Sequence, residues 1–155
     1  MTTQKALLRW TLVLGVFVAS VQVAVSQNPS APRLLVLLRD ASALAIVNPV
    51  EGVILGRVPT VANPHEVTAS ADGRLAFVAS PTAGISVIDL ETKTELRRVD
   101  IGMGSEPHDV RYAGGKLYFT AEGYKVIGRY DPYNDHVEWL LGTGQNGTHM
   151  LVMTQ

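Results

Sequence analysis

Residues 64–79 read Pro-His-Glu-Val-Thr-Ala-Ser-Ala-Asp-Gly-Arg-Leu-Ala-Phe-Val-Ala, a proline-histidine start followed by a glycine turn and an apolar run. The start recurs as Pro107-His108-Asp109-Val110, and a third copy begins Gly147-Thr148-His149. The three histidines, His65, His108 and His149, are 43 and 41 residues apart. Self-similarity at a fixed period of this size indicates a repeat protein.

The turn and strand that follow the start also repeat. Residues 72–78 match 114–120, which places Phe77 against Phe119, and residues 33–37 fit the same slot one period earlier. Asp72-Gly73 predicts a tight turn, because glycine accepts the positive φ that such turns require. In a third slot, a short polar side chain ends the strand at one register: Asn48, Asp89 and Asp131. We expect these three to accept hydrogen bonds from the turn that follows them, a structural role.

Each repeat contains four β-type runs, in the best copy about 65–71, 75–80, 85–90 and 95–101. Four strands in a unit of roughly 40 residues are typical of a β-propeller blade. The sequence therefore predicts an all-β protein, a partial β-propeller over residues 33–155. Its repeats span about 33–62, 63–105 and 106–146, and the next begins at 147.

The frame of these repeats predicts an open ring. The first blade lacks its innermost strand, and the chain ends inside the innermost strand of a fourth unit. We expect about three blades in this chain, with about four more needed to close the ring, which is monomeric when full length. Blades bury their faces only against neighbours, so the isolated array should fold poorly.

Residues 1–26 are predicted to be a signal peptide, and 27–32 a linker. Lys5 and Arg9 precede the uncharged apolar run 11–25, which ends in small residues suited to cleavage before Gln27. That run is shorter than the ~20 residues that span a bilayer, so an uncleaved anchor is the weaker alternative. The expected location is secreted, periplasmic or at the cell surface, with no membrane span after removal of the signal.

Composition excludes several classes of function. The formal net charge is -1 and the basic residues are scattered, which argues against nucleic-acid binding. The chain has no cysteine, so it has neither disulfides nor thiolate metal ligands.

Residues 64–79 resemble the YVTN-repeat (YncE-like) β-propellers, with Phe77-Val78-Ala79-Ser80 standing where that family carries Tyr-Val-Thr-Asn. This resemblance implies an exported seven-bladed ring that usually has no assigned enzyme activity. The last repeat, with residues 117–122 and 127–131, is similar to the streptogramin lyases. That resemblance implies lactone-ring opening by elimination, with a histidine, a carboxylate and a bound magnesium ion.

His65, His108 and His149 share one register, and we expect them near one rim of the central channel. Imidazoles there could bind a metal, a haem-like group or an anion. The alternative is a structural blade-start device, in which each ring bonds neighbouring backbone. A metal site is disfavoured because equivalent atoms of adjacent blades should lie well apart, so neither a metal site nor a cofactor is assigned beyond a possible divalent ion.

The carboxylates divide into two groups. Glu66 and Asp109 follow two of the histidines, and strand alternation should turn them away from the channel, as acceptors between blades. Glu122 ends a second strand, where it could reach the channel mouth as a general base or remain a solvated charge beside Lys125.

The leading hypothesis is an exported binding or scaffold module with an unknown small molecule or protein at the channel mouth. The alternative is a lyase or lactonase-type enzyme using His108 or His149, Glu122 and a divalent ion.

Overall fold

The computed structural model describes residues 31–154. The predicted signal peptide, residues 1–26, lies outside the described residues, as do most of the linker and Gln155. No helix in the described range is long and apolar enough to cross a membrane.

Eleven antiparallel strands in residues 31–154 form three sheets. The first blade contains β1 (Leu34–Leu38), β2 (Ala43–Asn48) and β3 (Val53–Pro59); the second contains β4 (Glu66–Ala69), β5 (Leu75–Ser80), β6 (Gly84–Asp89) and β7 (Thr94–Val99); the third contains β8 (Pro107–Ala113), β9 (Lys116–Ala121), β10 (Val126–Asp131) and β11 (His136–Gly142). Each sheet follows chain order. The all-β propeller prediction is confirmed, and within residues 31–154 the first sheet has three strands where the other two have four.

Apolar side chains hold neighbouring blades together in two clusters. Leu44, Ile46 and Val58 of the first blade pack with Val78 and Ile88 of the second. The second and third blades share a larger cluster, to which each contributes a buried phenylalanine, Phe77 and Phe119. Stability therefore comes from stacking blade on blade, as expected for a repeat array.

The turns after the third strands behave as predicted. Asn48, Asp89 and Asp131 each accept hydrogen bonds from backbone N–H groups two and three residues further on. Lys116 also donates to Asp131 at 2.6 Å, and this bond above all holds the pKa of the Asp131 carboxyl far below its usual range. These residues are structural.

The letter-by-letter match of the second strands is wrong by one residue. Val67 pairs with Val78 in the second blade, and the equivalent Val110 pairs with Phe119 in the third, so Phe119 corresponds to Val78 and not to Phe77. The β8–β9 turn is the two-residue Gly114-Gly115, whereas a longer loop joins β4 and β5. Because a one-residue shift exchanges the faces of a strand, Phe77 and Phe119 face each other across one blade interface.

The predicted innermost strand of a fourth unit is not observed, since residues 147–154 form no strand. A strand needs a ladder partner, and the described residues supply none to this segment. It is held instead by side chains of the third blade, as described below.

Candidate functional site

The three repeat histidines meet at one rim of the blade array, which we call the histidine rim. The ring centroids of His65 and His108 are 4.0 Å apart, and those of His108 and His149 are 3.8 Å apart. The expectation that equivalent atoms of adjacent blades lie well apart is therefore wrong. The inner strands begin close together, so side chains at this position converge.

A residue with positive φ precedes each of the three rim histidines. Asn63, Glu106 and Gly147 each lie two residues before a histidine and have φ of 56°, 51° and 63°. This left-handed region suits glycine and costs other residues free energy, so its recurrence marks a turn that the fold imposes. In all three copies the residue two positions after this turn is the histidine whose ring lies at the rim.

A one-residue bulge distinguishes the third blade. Pro107 pairs with Ala121 and Val110 with Phe119. Two residues of β8, His108 and Asp109, therefore lie opposite a single residue of β9. Both side chains are buried. Strict alternation, on which the prediction for Asp109 rested, therefore fails here, and a bulge re-aims side chains in this way.

Asp109 nevertheless accepts a hydrogen bond between repeats, as predicted. Its Oδ2 accepts from the backbone N–H of Leu151 at 2.8 Å, and its Oδ1 lies 2.6 Å from Nη1 of Arg111. Thr120 donates to the carbonyl of His149 at 2.8 Å. These side chains of the third blade hold the backbone at the carbonyl of His149 and at Leu151, two residues further on.

Glu122 follows β9 at the rim, and its backbone N–H donates to the carbonyl of Glu106 at 3.0 Å. Its carboxylate contacts Nδ1 of His149 directly. The predicted alternative, a solvated charge beside Lys125, does not describe this contact. One ligand atom each from His108, Glu122 and His149 lies within 4.8 Å of the other two.

The pKa of His108 is shifted by its surroundings at the rim. Burial above all, and then the neighbouring rings of His65 and His149, lower the pKa of His108 below its ordinary value. A lowered pKa favours the neutral ring, which is able to donate a lone pair. The buried Nδ1 atoms of His65 and His108 have no hydrogen-bond partner among the described residues.

Glu66, by contrast, does not complete the cluster. Its carboxylate lies 3.9 Å from Nδ1 of His65, too far for a hydrogen bond, and both side chains are one-third exposed. A cleft beside the rim is lined by residues 81–84 and 100–107, the loops that enter and leave this end of the blades. Because polar loops line this cleft, a small ligand would find more hydrogen-bonding groups there than apolar surface.

Sequence reasoning found the three histidines and Glu122 but missed Thr120 and the bulge. The spacing carries no signal for the bulge, because a valine stands two residues after the histidine in both copies, Val67 and Val110.

Fold and site together define a β-propeller with a cluster of imidazoles at one rim. The family model described as "Cytochrome D1 heme domain" matches residues 32–137, and the chain belongs to this family. No curated protein matches the chain. The finer assignment to the YVTN-repeat propellers is not confirmed.

Solved structures with a similar fold share little sequence identity with this chain. Hydrazine synthase of Kuenenia stuttgartiensis superposes with a TM-score of 0.69 at 18% identity, over 76% of this chain and 34% of that one. The WD40 repeats of RRP9 give 0.66 at 13%, over 76% and 37%. Streptogramin B lyase gives 0.61 at 16%, over 73% and 38%. This chain spans just over a third of the length of these structures.

The family name implies a haem, and the donor set of the rim fits one. A neutral imidazole is a common ligand of haem iron, and the rim brings the rings of His65 and His108 together. Either residue would hold the iron. A bound haem would supply a redox-active metal centre.

Proposed function

We propose that this chain is part of an exported β-propeller that binds a metal-centred ligand, such as a haem, at the histidine rim. The observation that supports it most is the convergence of three imidazoles with two unpartnered Nδ1 atoms. A purely structural histidine would bond neighbouring backbone through its ring, and these two Nδ1 atoms do not.

The proposal makes the protein a binding module, with an iron-bearing small molecule as its partner. Membership of the cytochrome D1 haem domain family supports this ligand class. The secreted or periplasmic location, the signal peptide over residues 1–26 and a monomeric seven-bladed ring belong to the same proposal.

The direct test is a haemin titration of the purified full chain, followed by absorption spectroscopy. We expect one equivalent to bind, with the Soret shift and visible bands of imidazole-ligated iron. His65→Gln and His108→Gln, singly and together, should identify the axial ligand by loss of those bands. His136→Gln is the matched control, because His136 begins the outer strand β11 and is exposed.

Binding that persists with unchanged bands in the His65→Gln/His108→Gln double variant would contradict the proposal. Circular dichroism of each variant separates loss of ligand from loss of fold.

A second candidate is a lyase or lactonase-type enzyme. The contact between Glu122 and His149 supports it, because a carboxylate beside an imidazole can orient that ring as a general base. The fold of streptogramin B lyase is similar, although this likeness concerns the fold alone.

Lactone opening with and without magnesium tests this candidate. Activity in the wild type that falls at least about a hundredfold in Glu122→Gln would support it, since general-base catalysis contributes about 10²–10⁴. Turnover unaffected by Glu122→Gln and by His149→Gln would contradict it.

A further inference from the structure

A second kind of ligand is suggested by a set of donors of which the haem proposal uses only His108. His108, Glu122 and His149 each offer one donor atom, and all three atoms lie within 4.8 Å of one another. Ligands of a tetrahedral zinc ion, at about 2.1 Å from the metal, are about 3.4 Å apart. Small rotations of Glu122 and His149, whose side chains are 26% and 55% exposed, would close that difference.

The backbone behind each donor is already fixed. His108 lies in the β8 bulge, and Glu122 is anchored by its N–H to the carbonyl of Glu106. The segment of His149 is fastened by Thr120 and by Asp109, through bonds of 2.8 Å to His149 O and Leu151 N. Only side-chain rotation is then required, so the loss of conformational entropy on binding is small.

The donor set selects the type of metal. Two imidazole nitrogens and one carboxylate suit borderline ions such as Zn²⁺, Co²⁺, Ni²⁺ and Cu²⁺, whereas Mg²⁺ and Ca²⁺ prefer oxygen ligands only. Three protein ligands leave a coordination position open, which is the arrangement of zinc sites that bind a further ligand.

The second blade serves as an internal comparison. The residue that follows its second strand is Pro81, where the third blade carries Glu122. The histidines repeat in three copies, but among residues 31–154 the carboxylate that contacts a rim imidazole closely occurs once. The candidate site is therefore specific to one unit and is not a general feature of the repeat.

We propose that His108, Glu122 and His149 bind one divalent transition-metal ion of the Zn²⁺ class, with an open position toward the histidine rim. The proposal rests on the proposed function in using the same rim, but it needs Glu122 and His149, which the haem does not. The ion would join the third blade to the segment that follows it.

The test uses the full chain with Zn²⁺ by calorimetry and with Co²⁺ by absorption of its d–d bands. We expect one equivalent of each, with binding about tenfold or more weaker in Glu122→Gln, His149→Gln and His108→Gln. Glu66→Gln and His136→Gln are matched controls that should bind like the wild type. Mg²⁺ and Ca²⁺ should not compete.

Several results would overturn the proposal: no stoichiometric Zn²⁺ binding, equal binding in Glu122→Gln, or loss in the controls. Haemin binding in the same preparations separates the two proposals. Haemin bound without Zn²⁺ would remove only the transition-metal site, whereas neither bound would remove both. Glu122→Gln and His149→Gln change partly exposed side chains, so circular dichroism should show an intact fold in both.

Discussion

The second and third blades share one plan, four antiparallel strands with a histidine at the start of the innermost, but they differ at the rim. Where the second blade has Ala79 and Pro81, the third has Thr120 and Glu122. These polar side chains hold and contact the segment of His149. The comparison teaches that turns and apolar stacking carry the fold, whereas a few side chains specific to one unit carry the candidate site.

The apolar packing also differs between the two blades, although their strands are arranged in the same way. Opposite Val78 in the second blade is Ser86, and opposite Phe119 in the third is Gly128. A Cβ on Gly128 would come within 2.2 Å of the Phe119 ring. The two blades therefore fill the equivalent space differently. The second blade uses a medium-sized and a small side chain, and the third uses one large side chain opposite a glycine.

The largest expected difference concerns the acidic residues that follow the rim histidines. Asp109→Ala should lower the free energy of unfolding by about 3 kcal/mol, because it leaves the N–H of Leu151 and the Arg111 guanidinium without their buried acceptor. Glu66→Ala, the second-blade counterpart, should cost less than about 0.5 kcal/mol, since its contact is long and exposed. Urea unfolding measures both, and equal costs would break the comparison.

The next largest effect is expected when the packing of the third blade is changed toward that of the second. Gly128→Ala should cost about 2 kcal/mol through overpacking against Phe119. In the Phe119→Val background, which imitates Val78, the same alanine should cost clearly less. A double-mutant cycle from urea unfolding gives the coupling free energy, expected at about 1 kcal/mol or more. Strictly additive costs would mean that the two residues do not compete for space.

A smaller effect is expected at the third strands, where Ile88 of the second blade corresponds to Tyr130 of the third. The Tyr130 hydroxyl accepts from Arg97 at 3.0 Å and donates to Asp135 at 2.5 Å, and burial above all raises its pKa to about 12. Tyr130→Phe should cost about 1 kcal/mol at pH 7. The raised pKa means that the unfolded chain loses its proton first, so wild-type stability should fall as pH rises from 10 to 12.

That loss at alkaline pH should be reduced in Tyr130→Phe. Thermal unfolding at pH 9 to 12 compares the two proteins, and identical pH profiles would show that the hydroxyl is not the group responsible.

The smallest expected effect is a pH dependence at the rim. Because the pKa of His108 is lowered in the folded protein, the unfolded chain binds its proton first as pH falls. Stability should therefore be full above about pH 6.5 and decline below it toward the folded-state pKa. Thermal unfolding from pH 7.5 to 5 should give a shallower decline in His108→Gln, and an unchanged slope would contradict this.

Much of this arrangement could be predicted from residues alone. The shared register of His65, His108 and His149 follows from repeat spacing, and the turn roles of Asp89 and Asp131 follow from short side chains at strand ends. The contact of Glu122 with His149 could not be predicted, because it depends on where two units converge. The one-residue shift of the second strand could not be predicted either, because Phe77 and Phe119 align by residue identity, whereas the ladder register decides which face a side chain occupies.

The left-handed turn before each histidine has a consequence for how such a rim can diverge. Its positive-φ position accepts Asn63, Glu106 and Gly147, so the fold constrains a dihedral angle there and leaves the side chain open. A lineage could exchange a charged side chain, an amide or no side chain at three points around the rim while each histidine keeps its place. For a protein engineer, these are the positions at which to vary the chemistry of the rim, and glycine is the substitution that relieves strain rather than adding it.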